Sequence, residues 1–309
     1  MLKLSTLLAS ILVVGLTVNT SAPLDNTSET QTPETPKRVP ETAPQDIQNP
    51  PIPTKLTFAG EEVPLHDQDI RERLEREILS NTFYHSKTLQ VLKRANRWRQ
   101  PVEQILEAEG VPTDFFYLAV AESALENGAR SPVGATGMWQ FMSSVGKEYG
   151  LEMNSYVDER RNPYLATKAA CAYLNDMKGI FGNWTNSAAA YNRGKTGMSN
   201  ALREQKVGSY YDLYLNPETY RYVFRILAYK VIMSNPEQYG FALSKEDLYP
   251  PFSYTEVKVD STINDLPDFA KKYKTTYKML KKYNPWLDQN AKYMLYVGSG
   301  KSYTIHIPK

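Results

Sequence analysis

The chain has 309 residues, with 36 Lys and Arg against 34 Asp and Glu, which gives a net charge of +2 at pH 7. Basic and acidic residues are interleaved as on solvated helices, so the charge pattern does not predict nucleic-acid binding. Cys171 is the only cysteine and excludes an internal disulfide, so stability must come from a hydrophobic core. We interpret this thiol as a small buried hydrophobe and not as a catalytic nucleophile.

The first 22 residues have the pattern of a secretory signal peptide. Lys3 precedes an apolar run from Leu7 to Val18, and small residues then lead to Ala22. The run is shorter than a membrane-spanning helix requires. Pro23 is an unfavourable neighbour for cleavage, so an uncleaved N-terminal anchor with membrane association is the alternative. Under both interpretations the rest of the chain is exported.

Residues 23–60 are predicted to be a disordered linker rich in Pro and Thr. Proline recurs every few residues from Pro33 to Pro53, and aromatic residues are almost absent. Such a composition buries too little apolar surface to offset the entropy of ordering the chain. A short strand at 52–58 that packs on the following domain is the alternative.

The segment 61–248 is predicted to be a helical domain. In its first part, apolar residues recur at helical spacing from Ile70 to Leu106. Proline lacks a backbone donor, so we predict a break between helices at Pro101. Arg94–Arg99 is locally basic, which fits either the rim of a site for an anionic substrate or a solvated helix face.

The centre of this domain is a predicted helix from Thr113 to Gly128. Thr113 is a good N-cap, and Gly128 is a natural stop. Glu122 shares one helical face with four apolar residues: Phe115, Leu118, Ala119 and Leu125. Burial raises the pKa of a carboxyl group, so this position suits a general acid near neutral pH. A structural glutamate held by a hydrogen bond or an arginine is the alternative.

Turn residues and a compact aromatic cluster follow the predicted helix. Ser131–Gly137 has the composition of a turn, and Met138–Met142 reads Met-Trp-Gln-Phe-Met. We expect this cluster to fold back towards Glu122. A pocket with one acid, one amide and soft apolar walls is suited to a sugar.

Four more helices are predicted in the rest of the domain. The first begins at Asn162-Pro163 and runs to about Ile180. Its inward residues are predicted to be Leu165, Ala169, Ala172, Tyr173 and Met177. The other three helices cover 185–191, 198–205 and 217–233.

From residue 250 the sequence changes to alternating and β-branched residues. Residues 255–259 and 303–308 read as two short strands, and the apolar spacing between them indicates two helices. The segment 250–309 is therefore predicted to be a small α+β module with the order β-α-α-β.

The central motifs resemble those of the Slt-type lytic transglycosylases. That family has Glu-Ser, a serine nine residues after the glutamate, and Gly-x-x-Gln-x-Met, which here are Glu122-Ser123, Ser131 and Gly137–Met142. Ala189–Gly194 is similar to the family's Ala-Tyr-Asn-x-Gly element. The Trp before the Gln, together with Asp158–Pro163, is similar to the membrane-bound lytic transglycosylase D branch. Ordered motifs form a more specific signal than one short pattern. The C-terminal segment resembles a LysM module.

The resemblance implies a mainly α, goose-type lysozyme-like catalytic domain followed by the LysM-like module. It implies cleavage of peptidoglycan between N-acetylmuramic acid and N-acetylglucosamine, with Glu122 as single acid and base and a 1,6-anhydromuramyl product. The implied substrate-binding positions are Ser123, Ser131, Gly137, Gln140, Met142, Tyr191 and Asn192. We expect a monomer in a bacterial periplasm or cell envelope, with peptidoglycan glycan strands as its partner. We expect neither a cofactor nor a metal ion.

Two other functions are compatible with the sequence. A hydrolytic muramidase generally needs two carboxylates about 5 to 9 Å apart, and Glu126 is near enough to Glu122 to be the second. Their predicted position on one helix argues against this function, because both would approach the sugar from the same side. The other function is a non-catalytic peptidoglycan-binding protein, which would not need Glu122, Gln140 and Tyr191 together. The sequence leaves open whether the LysM-like module binds glycan or only packs on the catalytic domain.

Overall fold

The computed structural model describes residues 47–288 and 293–309. The predicted signal peptide and most of the predicted linker lie outside the described residues. Within the described ranges the protein is mainly helical, with a small strand pair in its C-terminal module, which confirms the predicted fold class. In the same ranges, none of the helices combines the length and the hydrophobicity that crossing a membrane requires.

A small hairpin precedes the first two helices. Its strands are β1 (Thr57–Phe58) and β2 (Glu61–Glu62), and the helices are α1 (Gln68–Phe83) and α2 (His85–Ala108). The carboxylate of Asp67 caps α1, because it accepts hydrogen bonds from the N–H groups of Asp69 and Ile70. Apolar residues of both helices face the core at the predicted spacing.

Two details of this region differ from the sequence predictions. Helix α2 passes through Pro101 without a break. Trp98, Val102 and Leu106 are buried on either side of it, so tertiary packing outweighs the lost backbone hydrogen bond. The linker was predicted to extend to residue 60, whereas Phe58 is completely buried in the core. The last part of that segment therefore packs on the helical domain, as the alternative of a short strand at 52–58 describes.

Six further helices complete the helical domain. They are α3 (Phe116–Ser123), α4 (Ser143–Glu148), α5 (Pro163–Phe181), α6 (Trp184–Arg193), α7 (Lys195–Gln205) and α8 (Pro217–Ser234). Helix α8 packs on α1, α3 and α6, and α5 packs on α2 and α6. Helix α8 therefore forms the centre against which the short α3 is held.

The inner face of α5 differs from the prediction. Asn162 caps the helix as the sequence indicates, since its side chain accepts from the first turn of N–H groups. Leu165 and Ala172, however, are exposed. The deepest apolar residues of this helix are Ala166, Ala170, Cys171 and Leu174, which have no exposed surface. Small residues on this face let α5 approach its neighbours closely.

The C-terminal module has the predicted β-α-α-β order. Its elements are β3 (Tyr254–Val259), α9 (Leu266–Lys272), α10 (Tyr277–Tyr283) and β4 (Tyr303–Pro308). The strands pair antiparallel, with Tyr254 opposite Pro308 and Val259 opposite Tyr303. Asn284 is completely buried and bonds to the backbone of His306 twice, because it donates to the carbonyl at 2.7 Å and accepts from the N–H at 2.8 Å. This contact fixes β4 against the end of α10.

The module is packed on the helical domain through aromatic contacts. Phe252 stacks on Tyr283 of the module, with ring centroids 4.3 Å apart, and meets the edge of Trp98 in α2 at 5.5 Å. The hydroxyl of Tyr254 donates to that of Tyr164 at 3.0 Å. The structure thus gives the module extensive contacts with the helical domain.

Candidate active site

Glu122 lies in the last turn of α3, which is shorter than the predicted helix. The predicted helix to Gly128 consists instead of a 3-10 turn, Thr113–Phe115, followed by the eight residues of α3. The chain leaves the helix because Ala124 and Leu125 adopt left-handed backbone angles, with φ of 53° and 63°. Leu125 then lies in the core with 1% of its surface exposed.

Glu122 is a partly buried residue in the wall of a cleft. Burial raises its pKa from 4.5 to about 7. The hydroxyl of Tyr222, in α8, donates a hydrogen bond to Oε1 and acts in the opposite direction, as does the charge of Arg225. Glu218 adds to the rise of the pKa. Near neutral pH, Glu122 is therefore able both to give and to take a proton.

Sequence reasoning missed Tyr222. It is buried in α8 beside apolar residues such as Val223 and Ile226. Burial and the charge of Glu122 raise the pKa of Tyr222 well above its usual value, so the hydroxyl stays a donor. A tyrosine on an apolar helix face signals a buried hydroxyl in need of a partner. That signal does not identify the partner, because Glu122 is far away in the chain.

The loop 131–142 folds back on α3. The Oγ atom of Ser131 accepts a hydrogen bond from the N–H of Ala135 at 3.0 Å. Gly137 has a φ of 86°, and a Cβ atom at this position would lie 1.8 Å from the carbonyl oxygen of Arg160. Only glycine fits both the backbone angle and the close approach.

Ser123 and Gln140 both line the cleft and form hydrogen bonds to backbone carbonyls of this region. The hydroxyl of Ser123 donates to the carbonyl of Met138 at 2.8 Å. Gln140 has a φ of 49°, and its Nε2 donates to the carbonyls of Gly137 at 2.8 Å and Ala129 at 3.3 Å. The contacts of these two side chains hold the loop close to the end of α3.

The Tyr-Asn pair of α6, Tyr191 and Asn192, is not among the residues that line the cleft. The hydroxyl of Tyr191 donates to the carbonyl of Trp139 at 2.7 Å. Burial and then the charge of Glu122 raise the pKa of Tyr191 well above its usual value. Asn192 accepts a hydrogen bond from Thr219 at 2.9 Å. The resemblance to the Slt-type family also implies that this pair holds Glu122, whereas in the structure Tyr222 donates the hydrogen bond to that carboxyl group.

The cleft beside Glu122 has a volume of about 490 Å³. Predicted site residues that line it are Glu122, Ser123, Ser131 and Gln140. Other polar side chains in the lining include Lys87, Gln90, Arg94 and Arg130. Met142 lies at the surface with 42% exposed. A larger hollow of about 740 Å³ borders α2 and residues 233–251, and its lining includes none of the predicted site residues.

Glu126 also lines the cleft, but it lies beyond the end of α3. The prediction that it shares one helix with Glu122 is wrong, because the left-handed residues Ala124 and Leu125 separate the two. Its Oε1 is 2.6 Å from Nη2 of Arg94, and half of the side chain is exposed. Arg94 also donates to the carbonyl of Ala124 at 2.9 Å. The two glutamates therefore have different partners, an arginine for Glu126 and a tyrosine for Glu122.

Comparison with known protein families gives one match in the helical domain and one in the C-terminal module. Residues 101–213 match the family model of the transglycosylase SLT domain. Residues 255–309 match the family model of the soluble lytic transglycosylase C-terminal LysM-like domain. The chain therefore carries an SLT transglycosylase domain followed by a LysM-like domain.

Individual relatives are similar over parts of the chain. Membrane-bound lytic murein transglycosylase D of Escherichia coli strain K12 is 30% identical over 199 residues, which cover 62% of this chain and 43% of that protein. Peptidoglycan transglycosylase gp16 of Escherichia phage T7 is 35% identical over 105 residues, or 33% of this chain and 8% of that protein. An inactive mutant of the lytic transglycosylase Slt from Pseudomonas aeruginosa is a solved structure with 23% identity and a TM-score of 0.36. That similarity covers 50% of this chain and 26% of the other. The chain spans less than half the length of the curated relatives it matches.

Proposed function

We propose that this protein is a peptidoglycan lytic transglycosylase with Glu122 as its single acid and base. The observation that carries the proposal is the carboxyl group of Glu122 in a cleft, with a pKa of about 7 and a hydrogen bond from Tyr222. The match to the SLT domain and the names of the relatives support the same class of reaction. We further propose that the protein acts as a monomer on glycan strands in the cell envelope.

The reaction proceeds in two proton transfers. The protonated Glu122 first donates to the oxygen that joins N-acetylmuramic acid to N-acetylglucosamine, and the bond from this oxygen to C1 of the muramyl residue breaks. The resulting carboxylate then takes the proton of the C6 hydroxyl of the same muramyl residue. The C6 oxygen bonds to C1 and closes the 1,6-anhydro ring. Glu122 ends the cycle protonated, so the reaction needs neither water nor a second carboxylate.

The environment of Glu122 suits both transfers. A pKa near the working pH makes the group a competent acid in one step and a competent base in the other. After the first transfer the new carboxylate keeps the hydrogen bond from Tyr222, which favours the charged form. Tyr222 thereby limits how far burial raises the pKa of Glu122.

Ser131 and Gln140 bind the substrate through side-chain groups that their hydrogen bonds to the backbone do not use. The Ser131 hydroxyl accepts from Ala135, and it still carries a hydrogen to donate. Gln140 directs its Nε2 to two backbone carbonyls, and we assign its Oε1 as an acceptor for the substrate. One donor and one acceptor suit the hydroxyl and acetamido groups of the muramyl sugar.

A hydrolytic muramidase is the second candidate, because Glu126 lines the same cleft. The salt bridge to Arg94 at 2.6 Å argues against Glu126 as an activating base. The test compares Glu122→Gln with Glu126→Gln on purified sacculi. The proposal predicts that only Glu122→Gln abolishes product while its circular dichroism stays native. Equal losses in the two variants would favour the hydrolase, and normal turnover by Glu122→Gln would contradict both candidates.

A further inference from the structure

Residues 152–162, here called the bridge segment, lie between α4 and α5 and contact both the helical domain and the C-terminal module. Val157 at its tip is completely buried in the core of the C-terminal module. Val157 also forms a β-bridge with Leu287, and the N–H of Asp158 donates to the carbonyl of Trp286 at 2.8 Å. The tip of the bridge segment is therefore structurally part of the module.

A second contact fixes the start of the bridge segment to the module. The carboxylate of Glu152 accepts from Nζ of Lys301 at 2.7 Å and from the hydroxyl of Tyr303 at 3.2 Å. Tyr303 is the first residue of β4, so this contact reaches the central strand pair of the module. Contacts at both Glu152 and Val157 keep the bridge segment in a defined position relative to the module.

The other side of the bridge segment contacts the loop 131–142, here called the active-site loop. Nη1 of Arg160 donates to the carbonyls of Gly134 at 3.1 Å and Phe141 at 3.2 Å. The carbonyl of Arg160 occupies the space beside Gly137. Arg160 thus bonds to the turn that carries Gln140 at two points and lies against the turn at Gly137.

Asp158 joins the two sides of the bridge segment. Its carboxylate accepts two hydrogen bonds from the guanidinium of Arg160, at 2.9 and 2.8 Å. The side chains of this pair are 10% and 11% exposed, so the pair is largely shielded from water. A bidentate pair fixes orientation as well as distance. The backbone N–H of Asp158 is hydrogen-bonded to the module, and its carboxylate is hydrogen-bonded to Arg160. The position of Arg160 therefore depends on the position of the module.

We propose that the C-terminal module positions the active-site loop through the bridge segment, with Arg160 as the positioning residue. This inference rests on the proposed function, to which it adds a role for the module. Arg160 acts by keeping Ser131 and Gln140 in place beside Glu122. The module contributes to turnover even on substrates too short to reach it.

The test compares Arg160→Gln with Arg161→Gln as its matched control. Arg161 is 3.7 Å from the same carboxylate of Asp158 but makes no hydrogen bond to the active-site loop. We expect kcat/KM on a short soluble muramyl oligosaccharide to fall on the order of 10- to 100-fold in Arg160→Gln, because small misplacements of binding groups carry such losses. Arg161→Gln retains near-normal kcat/KM. The alkaline limb of the pH profile stays unchanged in both variants, because neither touches Glu122 or Tyr222.

A substitution in the bridge segment, at the side chain that enters the core of the module, tests the link to the module. Val157→Ala removes apolar volume from the module core and leaves every side chain of the active-site loop intact. We expect it to lower kcat/KM in the same direction as Arg160→Gln. In the double variant Val157→Ala, Arg160→Gln, the fold loss in kcat/KM is smaller than the product of the two single losses, because both substitutions act through the same series of contacts. Independent, fully multiplying losses overturn the link.

Hydrogen exchange gives a readout that does not depend on catalysis. The N–H groups of Thr136 and Phe141 bond to each other's carbonyls across the turn. Their exchange becomes faster in Arg160→Gln and in Val157→Ala but not in Arg161→Gln. Unchanged exchange together with wild-type kcat/KM in Arg160→Gln overturns the proposal, and so do equal effects in Arg160→Gln and Arg161→Gln. If the wild-type protein releases no product, the proposed function fails, and the exchange rates still decide the positioning role.

A folding control keeps this test decisive. Arg160→Gln leaves the buried charge of Asp158 without its main partner, which destabilises proteins more than removing both charges. If this variant lacks a cooperative melting transition, the double variant Asp158→Asn, Arg160→Gln replaces it. The same exchange and rate criteria then apply.

Discussion

The hydrogen bond from Tyr222 to Glu122 provides the sharpest prediction about the active site. Replacing Tyr222 by Phe removes the hydroxyl and keeps the ring, which is only 2% exposed and fills its place in α8. The lost hydrogen bond favoured the charged form of Glu122. In the variant, burial still raises the pKa of this carboxyl, and one of the effects that oppose the rise is lost.

The size of the shift follows from the strength of such a bond. A hydrogen bond to a charged group contributes about 1.5–3 kcal/mol, and one pKa unit corresponds to about 1.36 kcal/mol. The pKa of Glu122, about 7 in the wild type, should therefore rise by about 1 to 2 units in Tyr222→Phe. A less acidic donor also transfers its proton more slowly, so the plateau rate falls.

The assay is kcat/KM against pH on a soluble muramyl oligosaccharide. The rate requires protonated Glu122, so the alkaline limb of the wild-type profile should lie near pH 7. The limb should move to higher pH in Tyr222→Phe. Tyr191→Phe is the matched control, because that hydroxyl donates to the carbonyl of Trp139, and its limb should stay in place. A limb that is unmoved or lower in Tyr222→Phe, or equal shifts in the two variants, would refute the reasoning.

Three further predictions concern stability. The folded pKa of Glu122, about 7, exceeds the usual 4.5, so the free energy of unfolding should fall as pH rises from 4.5 to 7. Glu122→Gln should lack this contribution, which is on the order of 3 kcal/mol, and parallel plots of Tm against pH for the two proteins would contradict it. Gly137→Ala should destabilise the protein by about 1–3 kcal/mol because of its left-handed φ and the carbonyl of Arg160, and an unchanged Tm would be the contrary result. Asn284→Ala should cost about 1–3 kcal/mol by leaving buried backbone groups of His306 unpaired; slow exchange of the His306 amide in this variant would speak against that role.

The sequence predicted the helical domain and the C-terminal module because both depend on local spacing of apolar residues. It also indicated Glu122, Ser123, Ser131 and Gln140, all of which line one cleft in the structure. These residues lie within a short stretch of chain, so the spacing of the motif determines most of their relative positions.

The features that sequence reasoning missed depend on contacts between distant parts of the chain. Ala124 and Leu125 carry no local signal for left-handed angles, and the end of α3 follows from the burial of Leu125. The helix through Pro101 is likewise determined by packing on both sides of it. Tyr222 and Arg160 reach the site from elsewhere in the sequence, and their roles depend on the tertiary fold.

The central claim is that Glu122 alone supplies both proton transfers and that water does not take part. The most direct test is digestion of purified sacculi in water labelled with a heavy oxygen isotope, followed by mass spectrometry of the released muropeptides. Our account predicts muramyl ends that are lighter than the hydrolysis product by one water molecule and that carry no label. Reducing ends that contain the heavy oxygen would show hydrolysis and contradict the single-carboxylate mechanism.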